Sequence, residues 1–284
     1  MSRNITIKNS RLLKSKVSVS NLIGDNNYIL GYLDEYFRAT DDESEACHSV
    51  LYDKSRIGRG VQLIGLNDKK TFRLSLSMPC TAEDVQMLYK TAERIASQWN
   101  AKSIIIDDET VDVSELQKYV ERDISQNISL LNNPSDYAHG GYVTLYCAIC
   151  PICLSAEQLI SFGADYSSFS TYLNEKQQID AFYSCPHYFK EEEALIAMYI
   201  IIEDGYFILP NHPKTTIRSA EGVKVCDQAI VAISGLQHGE STSVMLYDDF
   251  VSLLPQNKKT VFDCQHILIS PLTNEELIGV FSHE

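Results

Sequence analysis

A corner repeated three times constrains this chain more than any other feature. In each case an apolar, strand-like run reaches a proline and is followed within a few residues by Ser or Thr, any residue, Glu, and a helical apolar pattern. The stretches are 72–89 (FRLSLSMPCTAEDVQMLY), 143–162 (VTLYCAICPICLSAEQLISF) and 266–281 (HILISPLTNEELIGVF). Proline withdraws a backbone donor and ends a ladder. A Ser or Thr side chain then accepts from the free amides of the first helical turn, and acids there meet the positive end of the helix dipole. Strands feeding capped helices imply an α+β chain with mixed or antiparallel sheets and packed helices. The three corners fit either duplication of one unit or independent use of the same capping chemistry.

The pattern is sharpest between residues 61 and 106. Residues 61–66 and 71–76 read as strands joined at Asn67-Asp68, and Thr81 stands where an N-cap belongs. Val85, Leu88, Tyr89, Ala92, Ile95, Ala96 and Trp99 follow at helical spacing, and 103–106 is a further strand. Together they predict a ββαβ unit. Ser114 is placed to cap a second helix, with its apolar stripe running from Leu116 to Leu131. Nearer the N-terminus, Leu30, Leu33 and Phe37 predict a helical stripe over 28–37.

The run Asn132-Asn133-Pro134-Ser135-Asp136 with Gly140-Gly141 is the strongest turn signal in the chain. It divides the sequence into an N-terminal α+β module (1–133), a linker (134–141) and a C-terminal α+β module (142–284). The second module is expected to hold a strand from 142 to about 149 and helices within 155–190. An apolar hairpin, 195–202 with 206–209, turns at Asp204-Gly205, and strands follow over 223–233 and 260–269. Thr273 with Glu276 has the spacing of a capping box.

At 284 residues with 44% hydrophobic and 22% charged residues, the chain can bury a substantial core. Its net charge of −14 argues against nucleic acid and anionic membrane as partners, because such a surface repels phosphate. Arg3, Lys8, Arg11, Lys14 and Lys16 face no acid within residues 1–20, so removing those five charges leaves the other 264 residues at −19. This basic arm reads as an edge strand and loop docked on the acidic body, or as an arm for an acidic partner. Residues 1–20 contain no continuous apolar core of a signal peptide, and the apolar run 194–202 is shorter than a membrane span. A cytoplasmic location with reduced cysteines is expected.

Gly58-Arg59-Gly60-Val61, the hairpin after it, and Met78-Pro79-Cys80-Thr81-Ala82-Glu83-Asp84 before an amphipathic helix form an ordered set. This arrangement, an RG-strand followed by a PxT-x-ED-helix across residues 55–110, resembles a bacterial domain family of unassigned function. The resemblance implies no catalytic or binding residue and no cofactor.

Two constellations carry potential chemistry. Cys147, Cys150 and Cys153 have the C-x2-C-x2-C spacing with which thiolates begin to surround zinc or an iron–sulfur cluster, with Cys185 or His187 as further ligands. On an extended strand, however, Cys150 would face away from the other two, which favours buried thiols. Asp107, Asp108 and Glu109 follow a strand and could offer oxygen ligands to a divalent cation, or form a solvated turn. No G-x-S-x-G elbow, P-loop or H-E-x-x-H motif occurs. The expected function is therefore a non-catalytic module that binds another protein or assembles with itself. The alternative is a metal- or small-molecule-binding protein, enzymatic or not, that uses the three thiols or the three carboxylates.

Overall fold

The structure is a computed structural model that describes residues 1–284 except 25–26, 42–43, 220–221, 235–243 and 283–284. The chain divides into two compact units, Met1–Ile179 and Asp180–Glu284. In the first lie strands β1 (Ser2–Lys8), β2 (Tyr28–Leu33), β3 (Ala39–Thr40), β4 (His48–Asp53), β5 (Val61–Ile64), β6 (Thr71–Ser77), β7 (Ser103–Ile106), β8 (Glu109–Asp112), β9 (Tyr142–Leu145) and β10 (Ile152–Ser155). Its helices are α1 (Val19–Ile23), α2 (Ala82–Gln98), α3 (Leu116–Asn132), α4 (Ala156–Ala164) and α5 (Tyr166–Gln177).

Eight of these strands form one sheet in the order β3-β2-β4-β5-β6-β1-β7-β8, with every neighbouring pair antiparallel. β6 and β7 both run antiparallel to β1, so they are parallel to each other and α2 carries the chain between them across β1. The alternation of β6 sends Phe72, Leu74 and Leu76 to one face, where they join Ile5 and Ile7 of β1 and Leu88, Ile95 and Trp99 of α2 in the core. The ββαβ unit is present, but its strands are completed by the N-terminus. The basic arm is accordingly no edge strand: β1 lies inside the sheet with Ile5 and Ile7 fully buried. Periodicity also misassigned 28–37. Tyr28–Leu33 is a strand paired with β4, and Gly31 lies so close to Tyr52 that a Cβ would stand 2.9 Å from its ring. Cross-strand pairing here overrides a stripe of three apolar residues at helical spacing.

The turn-rich segment 134–141 folds as short 3-10 turns inside the first unit, and α4 beyond it packs on α3. The strand expected to reach about residue 149 ends at Leu145, and the chain turns back to pair Ile152 with Leu145 and Cys153 with Thr144.

The second unit contains β11 (Phe182–Tyr183), β12 (His187–Glu191), β13 (Ala194–Ile202), β14 (Phe207–Pro210), β15 (Thr216–Ser219), β16 (Gly222–Val225), β17 (Gln228–Ser234), β18 (Val244–Leu246), β19 (Lys259–Val261) and β20 (His266–Ile269), with α6 (Tyr247–Leu253) and α7 (Asn274–Phe281). Two mixed four-stranded sheets, β11-β14-β20-β19 and β12-β13-β17-β18, accompany the β15-β16 ribbon. The expected hairpin of 195–202 with 206–209 does not form. β13 and β14 belong to different sheets, and the turn at Asp204 (φ 57°) carries the chain from one to the other. Tyr199, Ile201, Val231 and Met245 of one sheet meet Phe207, Leu209 and Ile269 of the other, with Phe250 and Leu277 from the helices.

All three corners carry capping boxes: Thr81 with Asp84, Ser155 with Gln158, and Thr273 with Glu276. Their strands have different settings. β6 lies between β5 and β1, β10 pairs with β9 alone, and β20 lies between β14 and β19. The corners share capping chemistry rather than sheet context, which removes the argument for duplication. Among the described residues no helix is long and apolar enough to cross a membrane.

Candidate functional site

The glycine–arginine strand and the acidic helix start form one buried knot. Asp84, the third residue of α2, is buried, and its carboxylate accepts from the backbone amides of Arg59 (3.0 Å), Gly60 (3.0 Å) and Thr81 (3.2 Å), and from the Thr81 hydroxyl (2.9 Å). Burial pushes the Asp84 carboxyl above the usual carboxylate range, and the donated hydrogen bonds oppose that rise. A Cβ on Gly58 would stand 2.4 Å from the Asp84 carboxylate, and Gly60 adopts φ +72° against Val50. The Arg59 guanidinium, also buried, donates to the carbonyls of Tyr146 (3.2 Å) and Pro79 (3.1 Å). The resemblance motif thus forms a structural clasp in which Asp84 ties the Arg59-Gly60 backbone to the start of α2 and Arg59 donates to two backbone carbonyls.

Cys147 and Cys150 lie in the turn between β9 and β10, not on a strand, so the alternation argument for their side chains does not apply. Gln177 holds that turn. Its Oε1 accepts from the amides of Ile149 (2.6 Å) and Cys150 (3.2 Å), and its Nε2 donates to the Cys150 carbonyl (2.9 Å). Cys153, on β10, has its sulfur 3.3 Å from the Thr144 hydroxyl. All three thiols are buried, and burial raises the Cys147 thiol well above its ordinary range although Arg59 pulls it down. Burial of this kind disfavours the thiolate, the form that nucleophilic attack and metal ligation both require. His187 belongs to the second unit, exposed on edge strand β12.

Asp107 and Asp108 are the two central residues of the β7–β8 hairpin, both at positive φ (44° and 82°), with Glu109 opening β8 opposite Ile106. This is the backbone of a two-residue hairpin turn, which Asp tolerates. Asp107 is engaged: it accepts from the Asn4 amide (2.9 Å) and pairs with Arg3. Arg3 also binds Asp123 through Nε (2.7 Å) and a terminal nitrogen (2.6 Å), and Tyr89 donates to the same buried carboxylate (2.6 Å). Asp107 and Asp123 therefore fasten β1 to the hairpin and to α3.

Sequence reasoning missed a buried relay in the second unit. His266 shares one hydrogen bond with the Asp263 carboxylate (2.9 Å) and another with the Tyr183 hydroxyl (2.8 Å). Both ring nitrogens of His266 are thus engaged within the second unit. Cys264 is pushed up to about 11 by burial.

A feature with its apolar side chains in solvent lies at the end of the arm. Asn9, buried, donates to the carbonyls of Ser15 (3.2 Å) and Lys69 (2.9 Å) and accepts from the Arg11 amide (3.0 Å). Ser10 donates to the Trp99 carbonyl, and Lys16 is fixed by Asn67 (2.7 Å) and Gln98 (3.2 Å). Between these anchors Leu12 and Leu13 stand 98% and 87% exposed, and neither Arg11 nor Lys14 is ion-paired to a described carboxylate. The adjacent leucines inside a basic run were visible in the sequence; their exposure was not.

A family described as a domain of unknown function, DUF4299, matches residues 2–278. The chain belongs to that family. No curated protein and no solved structure matches it. The resemblance seen over residues 55–110 thus extends across nearly the whole DUF4299 chain, both units included. Within it, Asp84, Gln177 and Asp107 are bonded to the protein itself, whereas the loop presents two exposed leucines and two cations that pair with no described carboxylate.

Proposed function

We propose that this chain is a non-catalytic protein-binding module, cytosolic in setting, whose contact element is the Arg11–Lys14 loop. The observation that carries this reading is the exposure of Leu12 and Leu13 on a loop pinned at both ends. Isolated surface leucines are ordinary, but an adjacent pair fully in water on an ordered loop forms a ready apolar contact. Burying each against a partner is worth about 1.5–3 kcal/mol. Because Asn9 and Lys16 already order the loop, little conformational entropy is lost on binding. Arg11 and Lys14 bias the choice toward an acidic partner and speed encounter with it.

Site-specific photocrosslinking in cells tests the reading. A photoreactive residue at position 13 should yield a discrete protein adduct, whereas the same residue at Asp108, an exposed hairpin turn, should not. Equal labelling from the two positions, or none from position 13, would remove the loop as a binding element.

A further inference from the structure

We infer that the partner of this loop is a second copy of the same chain, bound head to tail in a cleft of its C-terminal unit. This rests on reading the loop as the docking element. The cleft, about 490 Å³, opens where β18 runs into α6 and is bordered by the start of β17. Asp227, Asp248 and Asp249 line it together with Pro213, Ala229 and Leu246. Leu246 is half exposed, as is Val244 two residues earlier, while Met245 between them points into the core. Edge strand β18 therefore turns an apolar face outward beside three carboxylates.

The chemistry of the cleft complements that of the loop. Leu12 and Leu13 have an apolar floor to cover, and Arg11 and Lys14 have acids to meet. The chain's own charge favours this choice of partner, with five basic residues and no acid in the first twenty against −19 in the remainder. Two different surfaces meet, so the contact is heterologous and repeats from copy to copy unless it closes into a ring. A small apolar contact with a charged rim makes a weak, salt-sensitive association.

Sedimentation velocity on the full chain tests this. The wild type should associate as concentration rises at about 0.05 M salt and dissociate at about 0.5 M, where the screening length falls below about 10 Å. Because residues 11–14 are fully outside the core, R11E/K14E should fold normally yet weaken association at least about tenfold, and D248N/D249N should do likewise. Mixing R11E/K14E with D248K/D249K should restore a heterotypic complex that neither forms alone. A wild type that stays monomeric at every concentration, or an association indifferent to R11E/K14E, would overturn the inference. In that event a discrete crosslink from position 13 to a different protein would leave the loop's binding role intact, and its absence would remove both.

Discussion

The clasp at Asp84 and the loop at Leu12-Leu13 break the same rule in opposite directions. One places a carboxylate inside the protein, and the other places two leucines outside it. The difference lies in how each group is satisfied. Asp84 is met by three backbone amides and a hydroxyl, so its burial stabilises a particular backbone path through Gly58-Arg59-Gly60. Leu12 and Leu13 meet nothing, and the hydrogen bonds around them hold the backbone of the loop while leaving their side chains free. A buried polar group with all its partners accounts for itself within the fold. An exposed apolar pair on an ordered support is not accounted for by the fold, and the proposed docking supplies the contact it lacks.

The comparison can be broken first at Asp84. Asp84→Ala should leave the amides of Arg59, Gly60 and Thr81 buried without acceptors and cost about 4 kcal/mol or more, read by urea unfolding. A loss below about 1 kcal/mol would mean that water or local rearrangement replaces the carboxylate and that the clasp is incidental. Gly60→Ala tests the other half of the clasp. Its positive φ and a Cβ only 2.6 Å from Val50 should together cost about 2–3 kcal/mol.

Much of the clasp was legible, but not as a clasp. Thr81 as N-cap and the acids of the first turn follow from local chemistry, as do Ser155 and Thr273, because a cap is decided within four residues. The link from Asp84 back to Arg59 and Gly60 spans some two dozen positions, and no periodicity records it. The same limit explains β1. Its alternation was visible, yet its place between β6 and β7 depends on pairing with residues about 70 and 100 positions away. Over 28–37 the apolar spacing suited a helix, and only the ladder with β4 makes it a strand. In the candidate loop, charge and leucines could be read directly. Their exposure depends on Asn9 and Gln98, whose roles appear only when the chain is folded.

A pH series sharpens the comparison at a smaller scale. Burial raises the Asp84 carboxyl above its unfolded value, so between about pH 4 and that raised value the folded chain keeps a proton that the unfolded chain has lost. Stability contributed by Asp84 should therefore be greatest at low pH and fall as pH rises, by at most about 1.4 kcal/mol per pH unit. Asp84→Asn has no such proton. The advantage of wild type over Asp84→Asn in urea unfolding should accordingly shrink from pH 4 toward pH 7, and an advantage that grows would show the carboxylate to be the favoured form in the fold.

The smallest expected effect on stability belongs to the loop, and it discriminates most sharply between the two regions. Leu12→Ser with Leu13→Ser removes two side chains that touch no core, so unfolding free energy should stay within about 0.5 kcal/mol of wild type. Self-association by sedimentation should nevertheless be lost. That pairing of outcomes is what a binding element predicts, because such a group is silent in the isolated chain and decisive in the complex. If the double variant instead unfolds at markedly lower urea, the leucines support the loop or the sheet beneath it. They would then be structural in the same sense as Asp84, and the opposition between a satisfied interior and an unsatisfied surface would no longer mark out residues 11–14.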